Sequence, residues 1–266
     1  MDLELKDKTA IVTGGSRGIG KAIARELARE GVQVAIVARN SEALDVTAKE
    51  LAEETGGWIL PIVADTGDDA AVKAMVKRAA VEFGRLDILV NCAARVAGTV
   101  PEPKLADITD DSFFPDMNVK VLGYLRCARE AAPYMRQNGW GRIINLSGLA
   151  ARRGGSILAA TRNAAVVAAS KSLADELGPH GINVAVVHPG TTFTERIPGM
   201  IAGLAEREGI SHEEAERRIG SGSLVGRIID AREVAYVVAF LASPKSVAIT
   251  GELIGVSGGM PGAIFY

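Results

Sequence analysis

Short apolar runs alternate with longer stretches of helical period along almost the whole chain, and this alternation constrains the fold more than any other feature. Thr9-Ala-Ile-Val-Thr13, Val32-Gln-Val-Ala-Ile-Val37 and Trp58-Ile-Leu-Pro-Ile-Val63 are each followed by a helix-period segment, at 20–30, 41–55 and 69–83. The same rhythm continues through Leu86–Val90, a helical region near 111–137, Gly141–Leu146, a helix near 157–177 and Ile182–Val187, and it closes with a helix near 231–242 and Glu252–Val256. Runs of β-branched and aliphatic residues with little polar alternation belong in strands buried on both faces, which is the situation inside a parallel sheet covered by helices. The pattern predicts an α/β fold: a Rossmann-type, doubly wound parallel sheet of about seven strands, with helices on both faces, in a single domain spanning 1–266.

Two stretches break the rhythm. Residues 95–110 read as a Pro-containing loop, and 191–222 form a charged insertion after the sixth strand. In the insertion, Ser211-His-Glu-Glu214 has capping-box spacing, so a short helix is expected from 212 toward Ile219, within an amphipathic 204–218 segment. Ligands of open α/β sheets sit at the carboxyl ends of strands, which makes this insertion a candidate substrate lid.

Thirty Lys+Arg stand against 32 Asp+Glu, a formal charge of −2, so charge offers no attraction to nucleic acid or an anionic membrane. No apolar run reaches the length of a membrane span. The opening MDLELKDK is charged where a signal peptide is apolar. The two cysteines, Cys92 and Cys127, have neither metal-ligand nor disulfide-framework spacing, and the three histidines are scattered. The expectation is a cytoplasmic protein without a metal site.

After the first strand the chain reads Thr13-Gly14-Gly15-Ser16-Arg17-Gly18-Ile19-Gly20 and enters a helix. Glycines at 14, 18 and 20 permit a tight turn, close approach of backbone N–H groups to a pyrophosphate, and tight packing of helix on sheet. Strand–glycine turn–helix is the context that gives such a string meaning, so Gly14, Ser16, Arg17, Gly18, Ile19 and Gly20 are candidate nucleotide contacts. An acidic residue after the second strand would bind a ribose 2′-hydroxyl and repel a 2′-phosphate. Here Val37-Ala38-Arg39-Asn40 has no acid, and Arg39 with Arg17 offers two guanidiniums to a phosphate, so NADP(H) is expected over NAD(H), with Asn40 beside it.

From these residues the chain resembles the short-chain dehydrogenase/reductase family, whose glycine motif is Thr-Gly-x-x-x-Gly-x-Gly. The resemblance spans nearly the whole sequence. It implies that Asp65, with Thr66, holds the adenine end; that Asn91 and Ala93 of Asn91-Cys-Ala-Ala94 follow the fourth strand beside the nucleotide; and that Pro189, Gly190, Thr192 and Thr194 meet the nicotinamide end. By the same resemblance Asn118 is the active-site Asn and Ser147 the substrate-orienting Ser. It further implies a small-molecule substrate and a homo-oligomer, dimer or tetramer, built on the fourth and fifth helices, where Ala164-Ala-Val-Val-Ala-Ala169 suits close packing.

The family's catalytic Tyr and Lys, four apart on the fifth helix, are absent. Their positions fall on Ala159 and Asn163, and none of Tyr124, Tyr134, Tyr236 and Tyr266 has a Lys four or seven residues later. Alanine has no titratable proton, and Asn163 can bond a ribose hydroxyl but brings no cation. Arg162, Arg152, Arg153 and His188 are the nearby candidates to compensate. An arginine can stabilise an oxyanion yet stays protonated, and His188 reads more simply as a hydrogen-bonded structural histidine. The residues point to an NADP(H)-dependent oxidoreductase of a small carbonyl or alcohol, with Ser147, Asn118, Arg162 and Asn163 at its centre and a non-standard proton route. Two rivals stay open: a dinucleotide-binding sensor or assembly protein without turnover, and a non-redox lyase that retains the nucleotide.

Overall fold

Every side chain of Thr9–Thr13 (β1) and of Gly141–Leu146 (β5) is buried, as expected of strands covered from both sides. They lie in a seven-stranded sheet with Gln33–Ala38 (β2), Ile59–Val63 (β3), Ile88–Asn91 (β4), Ile182–Pro189 (β6) and Glu252–Val256 (β9), in the order β3-β2-β1-β4-β5-β6-β9. All pairings in it are parallel, for example Val12 against Ile36 and against Val90. The computed structural model describes residues 1–94 and 104–262. Most of the predicted 95–110 loop therefore lies outside the described residues; its last part holds a short 3₁₀ turn, Leu105–Asp107.

Alternation along the strands divides the core into two layers. Ala10, Val12, Val34, Ile36, Ile88 and Val90 face Gly18–Arg29 (α1), Ser41–Thr55 (α2) and Ala231–Ala242 (α9), through residues such as Ile23, Leu27, Leu44 and Val238. Ile11, Ala35, Val37, Leu89, Ile143 and Val184 face Asp69–Phe83 (α3), Gly123–Asn138 (α5) and Ile157–Leu177 (α6), through Met75, Val76, Cys127, Met135 and Leu177. Each fully buried aliphatic side chain contributes about 1.5–3 kcal/mol of transfer free energy, so the helix faces that supply these residues have little choice of orientation. Helix starts are set locally: the Asn40 side chain accepts from Ala43 N at 2.8 Å, Asp68 from Ala70 N and Ala71 N, and Ser156 from Ala159 N.

Three features of the fold differ from the sequence pattern. The predicted helix over 111–137 is Asp110–Met117 (α4) and α5 joined by a π-helical turn, Asn118–Leu122. Carbonyls that would continue the α ladder are engaged from outside it: Val119 O accepts from Thr66 Oγ1 at 3.3 Å, and Asn118 O from the Arg126 guanidinium at 3.3 Å. A π turn carries one extra residue and so rotates the side chains that follow it.

The second concerns the insertion, which holds not one helix but two. The expected one is present as His212–Gly220 (α8), capped by Ser211, and it is preceded by Ile197–Glu208 (α7), which ends at Gly209 with φ +64°. Ile197, Ile201 and Ala205 recur every four residues on α7 and pack with Ala215 of α8 in a core separate from the sheet's. The third is a two-strand ribbon, Thr192–Phe193 (β7) with Ile229–Asp230 (β8), which anchors both ends of the insertion.

Candidate functional site

The strand order reverses direction between β1 and β4, and a crevice opens at their carboxyl ends, where open α/β sheets bind ligands. Thr13 closes its floor by accepting from Cys92 N at 3.0 Å and Ala93 N at 3.1 Å. The chain then turns through Gly14, at φ +69°, so close to the β4 loop that a Cβ there would lie 3.1 Å from the backbone of Cys92 and Ala93. A Cβ on Gly20 would lie 2.2 Å from Gly14 O, so α1 can sit against its own entry loop only with glycine at that position. Arg17 caps α1 without a side-chain hydrogen bond, and no acidic residue stands in the first turn, so its N–H groups and dipole face the crevice. One carboxylate does approach: Gly18 N donates to Glu195 Oε2 at 3.1 Å and Oε1 at 3.2 Å, from the segment just before α7.

The cleft has a volume of about 1200 Å³, larger than the roughly 300–1,000 Å³ of a drug-sized ligand pocket. At one end Arg39 points to solvent with its side chain 71 % exposed, 3.8 Å from Asp65, so its charge is weakly committed. Arg17, Asn40 and Thr66 line the same end, although the Asn40 side chain is also the cap of α2. Ser16, Gly18 and Ile19 line the middle with Ala93. Pro189, Gly190 and Thr194 line the cleft as well, with Thr194 Cγ2 3.4 Å from where a Gly18 Cβ would lie.

Three of the predicted cofactor or catalytic residues stand elsewhere. Asn91 is fully buried in the sheet, where its amide donates to Asn145 Oδ1 at 2.9 Å; it ties β4 to β5 rather than facing the cleft. Thr192 is buried in β7 with its hydroxyl donated to Gly190 O, and Thr191 lines the cleft instead. Asn118, the first residue of the π turn, points toward the β3 loop and donates to Gly67 O at 3.0 Å.

Ser147, Ala159, Arg162 and Asn163 line the inner wall of the cleft. Ser147 Oγ donates to Asn163 O at 2.9 Å, and Asn163 Oδ1 is buried with no partner among the described residues, an acceptor left for a donor in the cleft. Arg162 is not a free cation: its side chain is 10 % exposed and Nη1 donates to Asp116 Oδ2 at 2.5 Å, which places an ion pair between α4 and α6. His188 is fully buried and bonded through Nδ1 to Gly148, and burial, with Arg152 and Lys120 nearby, lowers its pKa below the usual imidazole value. It is a structural histidine in its neutral form. Arg153 lines the mouth of the cleft.

Sequence reasoning missed Lys120. The π turn carries it into the protein, 5 % exposed, with Nζ donating to Ser147 O at 3.0 Å on the inner wall of the cleft. Burial, followed by the repulsion of Arg162, lowers its pKa to about 7, against weaker opposing pulls from Cys92 and Asp116. Its only signal in the sequence is a lone charge in the apolar run Val119-Lys-Val-Leu122. Tyr124, one turn along, is no substitute for the missing tyrosine: its buried hydroxyl donates to Leu146 O at 3.0 Å, and burial raises its pKa well above the usual phenol value.

A family profile described as enoyl-(acyl carrier protein) reductase matches residues 14–261. Among curated proteins, the short-chain reductase protein NovJ of Streptomyces niveus is 38 % identical over 257 residues, covering 96 % of this chain and 95 % of its own. The NADPH-dependent reductase BacG of Bacillus subtilis is 32 % identical over 262 residues, covering 96 % and 98 %. Among solved structures, L-sorbose reductase from Gluconobacter frateurii, complexed with NADPH and L-sorbose, superposes with a TM-score of 0.92 at 29 % identity, over 99 % of this chain and 100 % of that one.

Proposed function

The chain belongs to the short-chain dehydrogenase/reductase family, and from that premise we propose that it is an NADP(H)-dependent oxidoreductase of a small carbonyl or alcohol, working without the family's Tyr and Lys. The observation that carries this reading is the intact nucleotide cradle: positive φ at Gly14 and Gly18, no room for a Cβ at Gly20, and an α1 N-terminus at the cleft with no cap from its own Arg17 side chain and an exposed Glu195 carboxylate on the Gly18 N–H. These residues fit a dinucleotide. Gly14–Gly20 would hold the pyrophosphate, Asp65 and Thr66 the adenine end, and Pro189, Gly190, Thr191, Thr194 and Asn163 the nicotinamide end. Arg17 and Arg39 would hold a 2′-phosphate, in keeping with the NADPH named for BacG and for the sorbose reductase structure.

When bound, the reduced nicotinamide supplies a hydride to a carbonyl carbon. Ser147 orients the substrate oxygen through its hydroxyl. Arg162 and Asp116 brace α6 against α4 and fix that wall. The α7–α8 excursion borders the cleft through Arg196, Ile219 and Gly220 and serves as the substrate lid. Exposed Ala164 and Ala168 on α6 suit close packing of a second copy, so a homo-oligomer is expected on light scattering.

Calorimetric titration with NADPH and NADH, followed by turnover of a panel of ketones, aldehydes and alcohols, tests the reading. Tighter NADPH binding with turnover supports it, and equal or tighter NADH overturns the cofactor assignment. One observation, Ala159 and Asn163 in place of a titratable pair, favours a second reading as a nucleotide-binding protein without redox turnover. Tight NADPH binding with no turnover across the panel would select it.

A further inference from the structure

We propose that Lys120, carried into the cleft by the π-helical turn between α4 and α5, is the acid–base residue that replaces the missing tyrosine. The inference rests on the redox reading above and names the group that handles the proton.

Lys120 is the lysine lining the inner wall of the cleft, next to Ser147, and its ammonium has one acceptor among the described residues, Ser147 O at 3.0 Å. An ammonium has three N–H donors, so two remain to meet a ligand in the cleft. Truncation of the usual tyrosine ring to Ala159 leaves space in the cleft that Ala159 and Lys120 both line. The turn packs against α6, so the lysine and Ala159 belong to facing elements.

The electrostatics agree. Facing Lys120 are the cation Arg162, which its Asp116 partner only partly offsets, the Cys92 thiol held protonated by a pKa of about 11, and the neutral His188. Tyr124 beside it stays a phenol. A lysine buried among these groups titrates at about 7, where it can both give and take a proton at neutral pH.

In the reduction, a bound reduced nicotinamide would supply the hydride for the new C–H bond, its own C–H bond breaking and the ring being left oxidised as the carbonyl is reduced. The carbonyl oxygen takes a proton from Lys120 as one N–H bond breaks, leaving a neutral amine that regains its proton from water. In alcohol oxidation the neutral amine takes the hydroxyl proton. Reduction therefore needs the ammonium, and oxidation the amine.

Two variants and one titration separate this from a merely structural lysine. Lys120→Arg keeps a cationic donor for Ser147 O but cannot release a proton. It should retain NADPH binding and lose about 100-fold or more in kcat for carbonyl reduction, as should Lys120→Met. In the wild type, kcat for reduction should fall tenfold per pH unit above about 7. Independently of activity, NMR of ¹³C-lysine-labelled protein should show one resonance titrating near 7 that is missing from Lys120→Arg. A Lys120 titration above about 9, or Lys120→Arg turnover within about threefold of wild type with an unchanged pH profile, overturns the proposal and leaves the redox reading standing. Wild-type protein that binds NADPH but turns over nothing in the panel overturns both.

Discussion

Replacing Glu195 with glutamine should tighten NADPH binding. The Glu195 carboxylate receives the Gly18 N–H through both oxygens, 3.1 and 3.2 Å away, at the glycine-loop end of α1. On the proposed reading a dinucleotide in the cradle would take that N–H for its pyrophosphate, and the carboxylate would be an internal competitor for it. An exposed anion at a helix N-terminus contributes about 0.3–1 kcal/mol, and two oxygens sharing one N–H do not double it. Glu195→Gln removes most of that contribution while keeping the shape, so the Kd for NADPH should fall by about two- to fivefold at low salt. Because the side chain is exposed, the gain should shrink in 0.5 M salt, where the screening length drops to roughly 4 Å. Calorimetry on both proteins at two salt concentrations measures it. Unchanged or weaker binding by Glu195→Gln at low salt would refute the competition and the placement of the pyrophosphate at Gly18.

Arg39→Gln should cost NADPH about five- to thirtyfold in affinity and leave NADH nearly unchanged, since one exposed charge-assisted pair with a phosphate is worth about 1–2 kcal/mol; parallel titrations with both nucleotides check it. Arg162→Met should destabilise the protein by about 3–5 kcal/mol in urea unfolding, because it leaves Asp116 buried without its cation and with Oδ1 already unpartnered. Stability should also respond to Lys120. Its pKa is lower folded than unfolded, so between about 7 and 10.5 the unfolded chain holds the extra proton and wild-type stability rises with pH. Relative to Lys120→Met, the wild type should gain about 1.4 kcal/mol per pH unit between pH 8 and 9.5, and parallel curves for the two proteins would contradict the buried lysine's shift.

The sheet and most of its helices were legible because the central strands are buried on both faces and several helix starts are local chemistry: Asn40, Asp68, Ser156 and Ser211 stand where helices begin. α7 was not legible. Pro198, Gly199 and Gly203 interrupt its helical signal, and its apolar stripe has meaning only once Ala215 of α8 packs against it. At the cradle, the glycine string could be read in full because each glycine answers a backbone need. The inner wall could not, since the π turn is engaged by Thr66, 53 residues away, as well as by Arg126 further along α5, and within it Asn118 points to Gly67 O and Lys120 to Ser147 O. Thr192 and Asn91 were misplaced for a related reason: a two-residue ribbon and an Asn91–Asn145 bridge between strands are tertiary facts with no local signature.

The most direct test of NADPH-dependent carbonyl reduction by this protein is a stoichiometry: the NADPH consumed, followed at the reduced-nicotinamide absorbance band, against the alcohol formed from a carbonyl panel by the purified protein. One alcohol should form per NADPH oxidised, with NADH supporting slower turnover. Product formed with no net change in that band, or no product despite tight NADPH binding, would contradict a redox role.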